Sequence, residues 1–163
     1  MRWIWIDRFE AFESGVRATA VKNVTLAEDY LHDHFPGFAV MPATLMIEGM
    51  AQTAGILVGE ARGFREKVIL AKIKRAVFDD MVRPGDQLRY DAELESIADA
   101  GAVTRGVVSK NGVEMGRVDL MFSHVGSGGM DPPLPEHNFV FGDQFMNLLQ
   151  TYRTGIDRSG ESA

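Results

Sequence analysis

The stretch PATLMIEGMAQTAGILVGEA, residues 42–61, decides the fold. Pro42 sits where proline is favoured, in the first turn of a helix. Over 43–61 the chain is apolar on nearly every face, and a helix that is hydrophobic all round is a buried helix. Gly49, Gly55 and Gly59 each cost about 1 kcal/mol against alanine in a helix interior. With Ala51 and Ala54 they let other backbone pack very close. Thr44, Glu48 and Gln52 are the clearly polar residues of its first half, and their spacing of four puts them in one stripe.

Downstream of this helix the sequence alternates with period two. Residues 68–78 form a β-rich run, and Arg83-Pro84-Gly85-Asp86 is a turn. Leu88, Tyr90, Ala92 and Leu94 then alternate with Arg89, Asp91, Glu93 and Glu95, a strand with one dry face and one wet face. Two more strands, 102–109 and 113–123, are joined by Asn111-Gly112, the favoured two-residue hairpin turn. Upstream, 15–24 reads as a strand. Thr25 and Glu28 form a capping box that announces a short helix near 26–31, and 32–41 is irregular. The predicted order is strand, buried helix, then four strands as an antiparallel meander. This is an α+β fold, an antiparallel sheet wrapped around one buried central helix.

That domain is expected to occupy residues 1–125, with a C-terminal extension over 126–163. The extension opens on a Gly/Ser- and Pro-rich linker at 126–133. Asp143 can cap a last helix over 143–154, with Phe145, Leu148, Leu149 and Tyr152 on one face. Residues 157–163 are expected to be disordered. Phe139, Phe141 and the helix can cover an open surface or a tunnel mouth, or dock as a solvated appendage.

Composition narrows the function. The chain has 163 residues, 17 basic and 23 acidic, with a net charge of −6 and 45% hydrophobic residues, a composition able to build a core without staples. The absence of cysteine excludes disulfides, thiolate nucleophiles and cysteine-ligated metal. The acidic balance argues against a nucleic-acid binder. The apolar run near the start is too short for a signal peptide, and no stretch of about 20 apolar residues exists to span a bilayer. A cytoplasmic, single-domain protein with no membrane contact is expected.

Two residues carry chemistry. Burying an ionised carboxylate in the middle of an apolar helix is costly, which favours Glu48 as a neutral acid near pH 7, unless it pairs with a lysine or bonds to backbone. His34, in the loop upstream of the helix, supplies a base or serves structurally. The helix start adds unpaired backbone N–H groups that can hold an oxyanion. Base, acid and oxyanion donor are what elimination of water β to a carbonyl needs.

The run from His34-Phe35-Pro36-Gly37 through Met41-Pro42-Ala43 and Leu45 to Glu48-Gly49-Met50-Ala51-Gln52 resembles the signature of the 3-hydroxyacyl-[acyl-carrier-protein] dehydratases of fatty acid biosynthesis. The pattern of that family is His-Phe-Pro-Gly-His-Pro-x-Met-Pro-Gly-x-Leu-x-x-Glu-x-Met-Ala-Gln. The resemblance extends over roughly residues 5–125 and includes 22–25, 72–78 and 83–88. It implies the hotdog fold, no cofactor and no metal, and an acyl carrier protein as partner. It also implies homodimers, commonly three in a hexamer, with each active site shared between subunits. His34 is then the catalytic base and Glu48 the acid, and glutamate rather than aspartate there resembles the dehydratase-only branch. Ala43 and Thr44 supply the oxyanion amides. Met41, Leu45, Met46 and Met50 are candidates to line an acyl tunnel or to be plain core, with Phe38 at its mouth and Gln52 beside the acid. The sequence departs from the pattern at Phe38, Ala39 and Ala43, where the family carries histidine, proline and glycine.

Between 61 and 78 there are six basic residues, Arg62, Arg65, Lys67, Lys72, Lys74 and Arg75, against one acid, Glu66. This can be a patch that steers an acidic carrier protein, or a solvated face. His32-Asp33-His34 has a spacing that can suit a metal but lacks a third ligand nearby. The expected reaction is conversion of a 3-hydroxyacyl thioester to the trans-2-enoyl thioester. The alternatives are a hotdog acyl thioesterase and a non-catalytic acyl-binding subunit.

Overall fold

The computed structural model describes residues 3–125 and 134–160, with side chains described as far as 155. β1 (Arg8–Glu13) and β2 (Arg17–Asn23) form a hairpin, and α1 (Tyr30–Asp33) follows. The long helix α2 (Ala43–Ala61) precedes β3 (Lys67–Phe78), β4 (Gln87–Ala98), β5 (Gly101–Lys110) and β6 (Val113–Val125), and α3 (Asp143–Gly160) is the last described element. The six strands make one antiparallel sheet in the order β1-β2-β4-β5-β6-β3.

α2 has the bounds that its composition predicts, and thirteen of its nineteen residues are buried, so it is enclosed rather than laid on a surface. The sheet curls around it, with β4 as its main support. Tyr90 of β4 is fully buried against Gly49: a Cβ on that glycine would stand 2.5 Å from the ring. Burial pushes the Tyr90 phenol well above its ordinary range, so the ring enters the core neutral. At Gly59 the Phe141 ring takes the place of a side chain, whereas at Gly55 a Cβ would meet only Phe122, at an ordinary 3.6 Å. The close approaches at Gly49 and Gly59 are thus made by aromatic rings, not by backbone as the sequence suggested.

The strand order corrects the predicted meander. Of the four strands after α2, only β4, β5 and β6 are neighbours in chain order. β4 pairs with β2 in unbroken register from Arg17↔Glu93 to Asn23↔Gln87, and β3 crosses to the far side of β6. β1 has no counterpart in the sequence reading because a bulge between Phe9 and Ala11 breaks the alternation that marks a strand. The Asn111-Gly112 turn has φ of 51° and 86°, the left-handed pair that a tight hairpin requires. Half of the capping box forms: Thr25 N–H donates to the Glu28 carboxylate, but the Thr25 hydroxyl accepts from Ala27 N–H; the pair closes a turn, and α1 begins only at Tyr30.

Residues 126–133 and 161–163, read as a linker and a disordered end, lie outside the described residues. α3 runs to Gly160, past the predicted 154 and through part of the segment expected to be disordered. Its predicted apolar face docks: Leu149 is 2% exposed, and Phe145, Leu148 and Tyr152 pack on the core. Phe12 N–H donates to the Tyr152 hydroxyl at 3.0 Å, and Arg153 pairs with Glu60. Among the described residues no helix is long and apolar enough to cross a membrane.

The glycines of α2 give opposite expectations. Gly49→Ala should destabilise by about 1–2 kcal/mol, because overpacking against an immobile ring outweighs the gain in helix propensity. Gly55→Ala should be neutral, or stabilising by up to about 1 kcal/mol. Urea midpoints at constant slope measure both; equal effects would show that Tyr90 yields freely.

Candidate active site

α1 ends at His34, whose N–H bonds back to the Tyr30 carbonyl at 3.0 Å. The chain then turns tightly, with Phe35 and Phe38 exchanging backbone hydrogen bonds around Gly37, which has φ of 78°. The His34–Phe35 peptide is cis. Val40 N–H returns to the His34 carbonyl at 3.0 Å, and Met41 N–H anchors the loop to the Val82 carbonyl at 2.8 Å. The His34 ring stacks on Phe35, and its Nδ1 lies 2.8 Å from the Val40 carbonyl. A carbonyl only accepts, so Nδ1 carries the hydrogen. In the neutral ring Nε2 keeps the lone pair and is the basic atom.

Glu48 lies on the second turn of α2 and is half-buried. Its Oε1 accepts from the Trp3 indole N–H at 3.0 Å and from Gln52 Nε2 at 3.0 Å. Gln52 is 7% exposed, and its amide can point only one way. Oε1 accepts from Trp5 N–H at 2.8 Å, while Nε2 also donates to the Trp3 carbonyl at 3.2 Å. One glutamine therefore ties the N-terminal segment to α2 and holds the Glu48 carboxylate. With both donors on Oε1, Oε2 is left for other chemistry. The first backbone bonds of α2 run from Leu45 and Met46 to the Pro42 carbonyl, so the Ala43 and Thr44 N–H groups lack intrahelical acceptors.

Glu48 opens onto a cavity of about 360 Å³. Its walls are Ala51, Gly55 and Ile56 of α2, the 68–70 segment of β3, Phe122 of β6, and Phe139, Val140, Phe141 and Phe145 from beyond the sheet. Gln52 and Trp3 complete the end near the acid. Of the six residues expected from sequence to bind substrate, Gln52 alone lines this cavity. Met41, Leu45, Met46 and Met50 are buried in the core, Met46 and Met50 because they lie half a turn from Glu48, toward the sheet. Phe38 is exposed, with the Arg83 guanidinium 4.5 Å over its ring. The stripe continuing from Glu48 and Gln52 at helical spacing, Gly55 and Ile56, was the available signal for the wall of this cavity. Trp3 had none, since it reaches Glu48 from 45 residues away.

His34 does not line this cavity, and among the described residues no hydrogen bond joins it to Glu48. One chain thus presents His34 and Glu48 separately. The basic run also divides. Lys67 is 5% exposed and its ammonium donates to the Glu136 carbonyl, which removes it from any surface patch. Arg62 grips Glu66 through two nitrogens and also reaches Asp99, holding the Glu66 carboxyl below its usual range. Arg75 shares a surface hollow with Asp91, Glu93 and Asp119, and also with Arg105 and Arg117. Arg65, Lys72, Lys74 and Arg75 are exposed. Among the described residues no group of three histidine, aspartate or glutamate side chains is placed to hold a metal.

Comparison with known proteins places the chain. A FabA-like domain model matches residues 3–117. The 3-hydroxyacyl-[acyl-carrier-protein] dehydratase FabZ of Halalkalibacterium halodurans is 38% identical over 122 residues, covering 74% of this chain and 87% of the relative. FabZ of Clostridium acetobutylicum is 35% identical over 118 residues, covering 72% and 84%. Among solved structures, the dehydratase heterocomplex ApeI:P from Xenorhabdus doucetiae superposes with a TM-score of 0.64 at 16% identity, over 76% of this chain and 84% of that one, a likeness of fold alone. Sheet, central helix and sequence agree: this chain belongs to the FabA-like hotdog family that includes the FabZ dehydratases.

Proposed function

We propose that the chain dehydrates 3-hydroxyacyl-[acyl-carrier-protein] to the trans-2-enoyl thioester in fatty acid biosynthesis, with His34 as base and Glu48 as acid. The observation that carries the residue assignment is the state of Glu48. Its Oε1 is held by two donors, its Oε2 is open, and it stands on the wall of an apolar cavity. His34 Nε2 takes a proton from the α-carbon. Negative charge develops on the thioester oxygen, facing the Ala43 and Thr44 amides, where the helix dipole reinforces them. Glu48 Oε2–H protonates the 3-hydroxyl as the C3–O bond breaks, the C2–C3 double bond forms and water departs. The α-proton is then on His34 and Glu48 is ionised; exchange with water resets both. The Gln52 clamp spares the acid the reorganisation of finding its orientation at each turnover.

The separation of His34 from Glu48 in one chain supports a site completed by a second copy. β3 supports the same reading. It is a twelve-residue edge strand, and Ile73 and Val77 on it are 46% and 44% exposed. A long edge with exposed apolar side chains is a template for pairing. A dimer joined there puts the two β3 strands side by side, and Arg65, Lys72 and Lys74 remain candidates to meet an acidic carrier protein.

The deciding assay offers a series of 3-hydroxyacyl carrier-protein thioesters and identifies products by mass. Loss of water supports the dehydratase; free acid and carrier thiol would indicate a thioesterase; no product at any length would indicate an acyl-binding subunit. His34→Ala and Glu48→Gln should each lower kcat by at least about 100-fold, the usual contribution of a positioned acid or base. Mixing the two variants under subunit exchange should restore about a quarter of wild-type activity, because half the dimers are mixed and each mixed dimer has one intact site. Failure to recover any activity would place both groups in one chain. Gln52→Ala should lower kcat about tenfold or more while leaving KM nearly unchanged, the mark of lost positioning. A pure KM effect would mean that Gln52 only binds substrate.

A further inference from the structure

The cavity beside Glu48 is closed by residues that the FabA-like domain does not include. The family match ends at 117, yet Phe139, Phe141 and Phe145 form part of the wall. The segment that carries them is fastened to the core at several points. Asn138 Nδ2 donates to the carbonyls of Phe64 and Glu66, both at 3.1 Å, and the buried Lys67 ammonium donates to the Glu136 carbonyl. Phe64 meets Phe141 edge to face at 5.0 Å, and the Phe141 ring occupies the space a side chain at position 59 would need.

These contacts give the cavity a direction. Its helical wall descends from Glu48 through Gln52 to Gly55 and Ile56, and Phe141 sits over Gly59, about 16 Å along the helix axis from Glu48 at 1.5 Å per residue. An acyl chain whose 3-hydroxyl meets Glu48 and whose tail runs along α2 therefore ends against the extension.

We propose that the C-terminal extension is the chain-length stop of the acyl pocket, with Phe141 and Phe139 as the residues that set the limit. This rests on the dehydratase reading above. Because the stop belongs to an appendage and not to the sheet, length preference is set apart from the catalytic residues. The chain can lose its limit without losing its chemistry.

The test compares kcat/KM across 3-hydroxyacyl carrier-protein thioesters of increasing length for the full-length wild type, Phe141→Ala and Phe139→Ala. Phe139 is 44% exposed, so its truncation keeps the proposal testable if Phe141→Ala fails to fold. The wild type should show a fall in kcat/KM beyond a limiting length. Each variant should raise the ratio of long-chain to short-chain kcat/KM roughly tenfold or more, the effect of room for added methylenes in an apolar pocket, with most of the change in KM. A wild type that dehydrates substrates but keeps the same length profile in both variants overturns this inference alone. A uniform loss at every length also overturns it, because the extension would then act only through stability. A wild type that dehydrates nothing overturns the reading on which it rests.

Discussion

Everything in this protein follows from a helix that has almost no face fit for water. α2 cannot be packed from one side, so the sheet must curl round it, and the side the sheet leaves open must be covered by something else. Here that cover is made of the two ends of the described chain. The N-terminal segment lies along the first turns, held by Gln52, and the extension lies along the last, held by Asn138, Phe141 and Arg153. Glu48 and the cavity lie between them.

The same enclosure explains how a polar stripe survives in such a helix. Glu48 and Gln52 are tolerable because each polar atom that faces protein has a partner: the carboxylate takes two donors on one oxygen, and the amide spends both its ends. The unspent oxygen of Glu48 is the exception, on a residue that lines the cavity. A site made in this way is stiff at Glu48. At His34 the stiffness comes from a different source, a tight loop that returns to the ring through the Val40 carbonyl.

Much of this was legible in the residues, but unevenly. α2 could be bounded because its signals are local: Pro42 at the start, unbroken apolarity and helical spacing. The hairpin at Asn111-Gly112 was local too. Strand neighbours were not, since nothing in residues 67–78 says that they will pair with β6 rather than β4. Lys67 reads as surface charge because the carbonyl that accepts its hydrogen bond lies 69 residues away. The methionines near Glu48 read as tunnel because periodicity gives a helix two apolar faces without saying which one the sheet will claim. His34 and Glu48 stood out because their chemistry is conspicuous. The indole that orients the acid did not, because a tryptophan near a chain terminus looks like any other apolar residue.

Gly59 and Phe141 share a single volume, although 82 positions separate them in the sequence. Their substitutions cannot be independent. A side chain at 59 is barred while the ring is present and becomes tolerable once it is gone. Position 59 is therefore a lineage marker. Across related chains, glycine there should accompany a docked aromatic extension, and bulkier residues should appear where the extension has been lost or was never acquired. The descent of the appendage can then be traced from the helix alone, even in sequences whose tails have diverged beyond alignment.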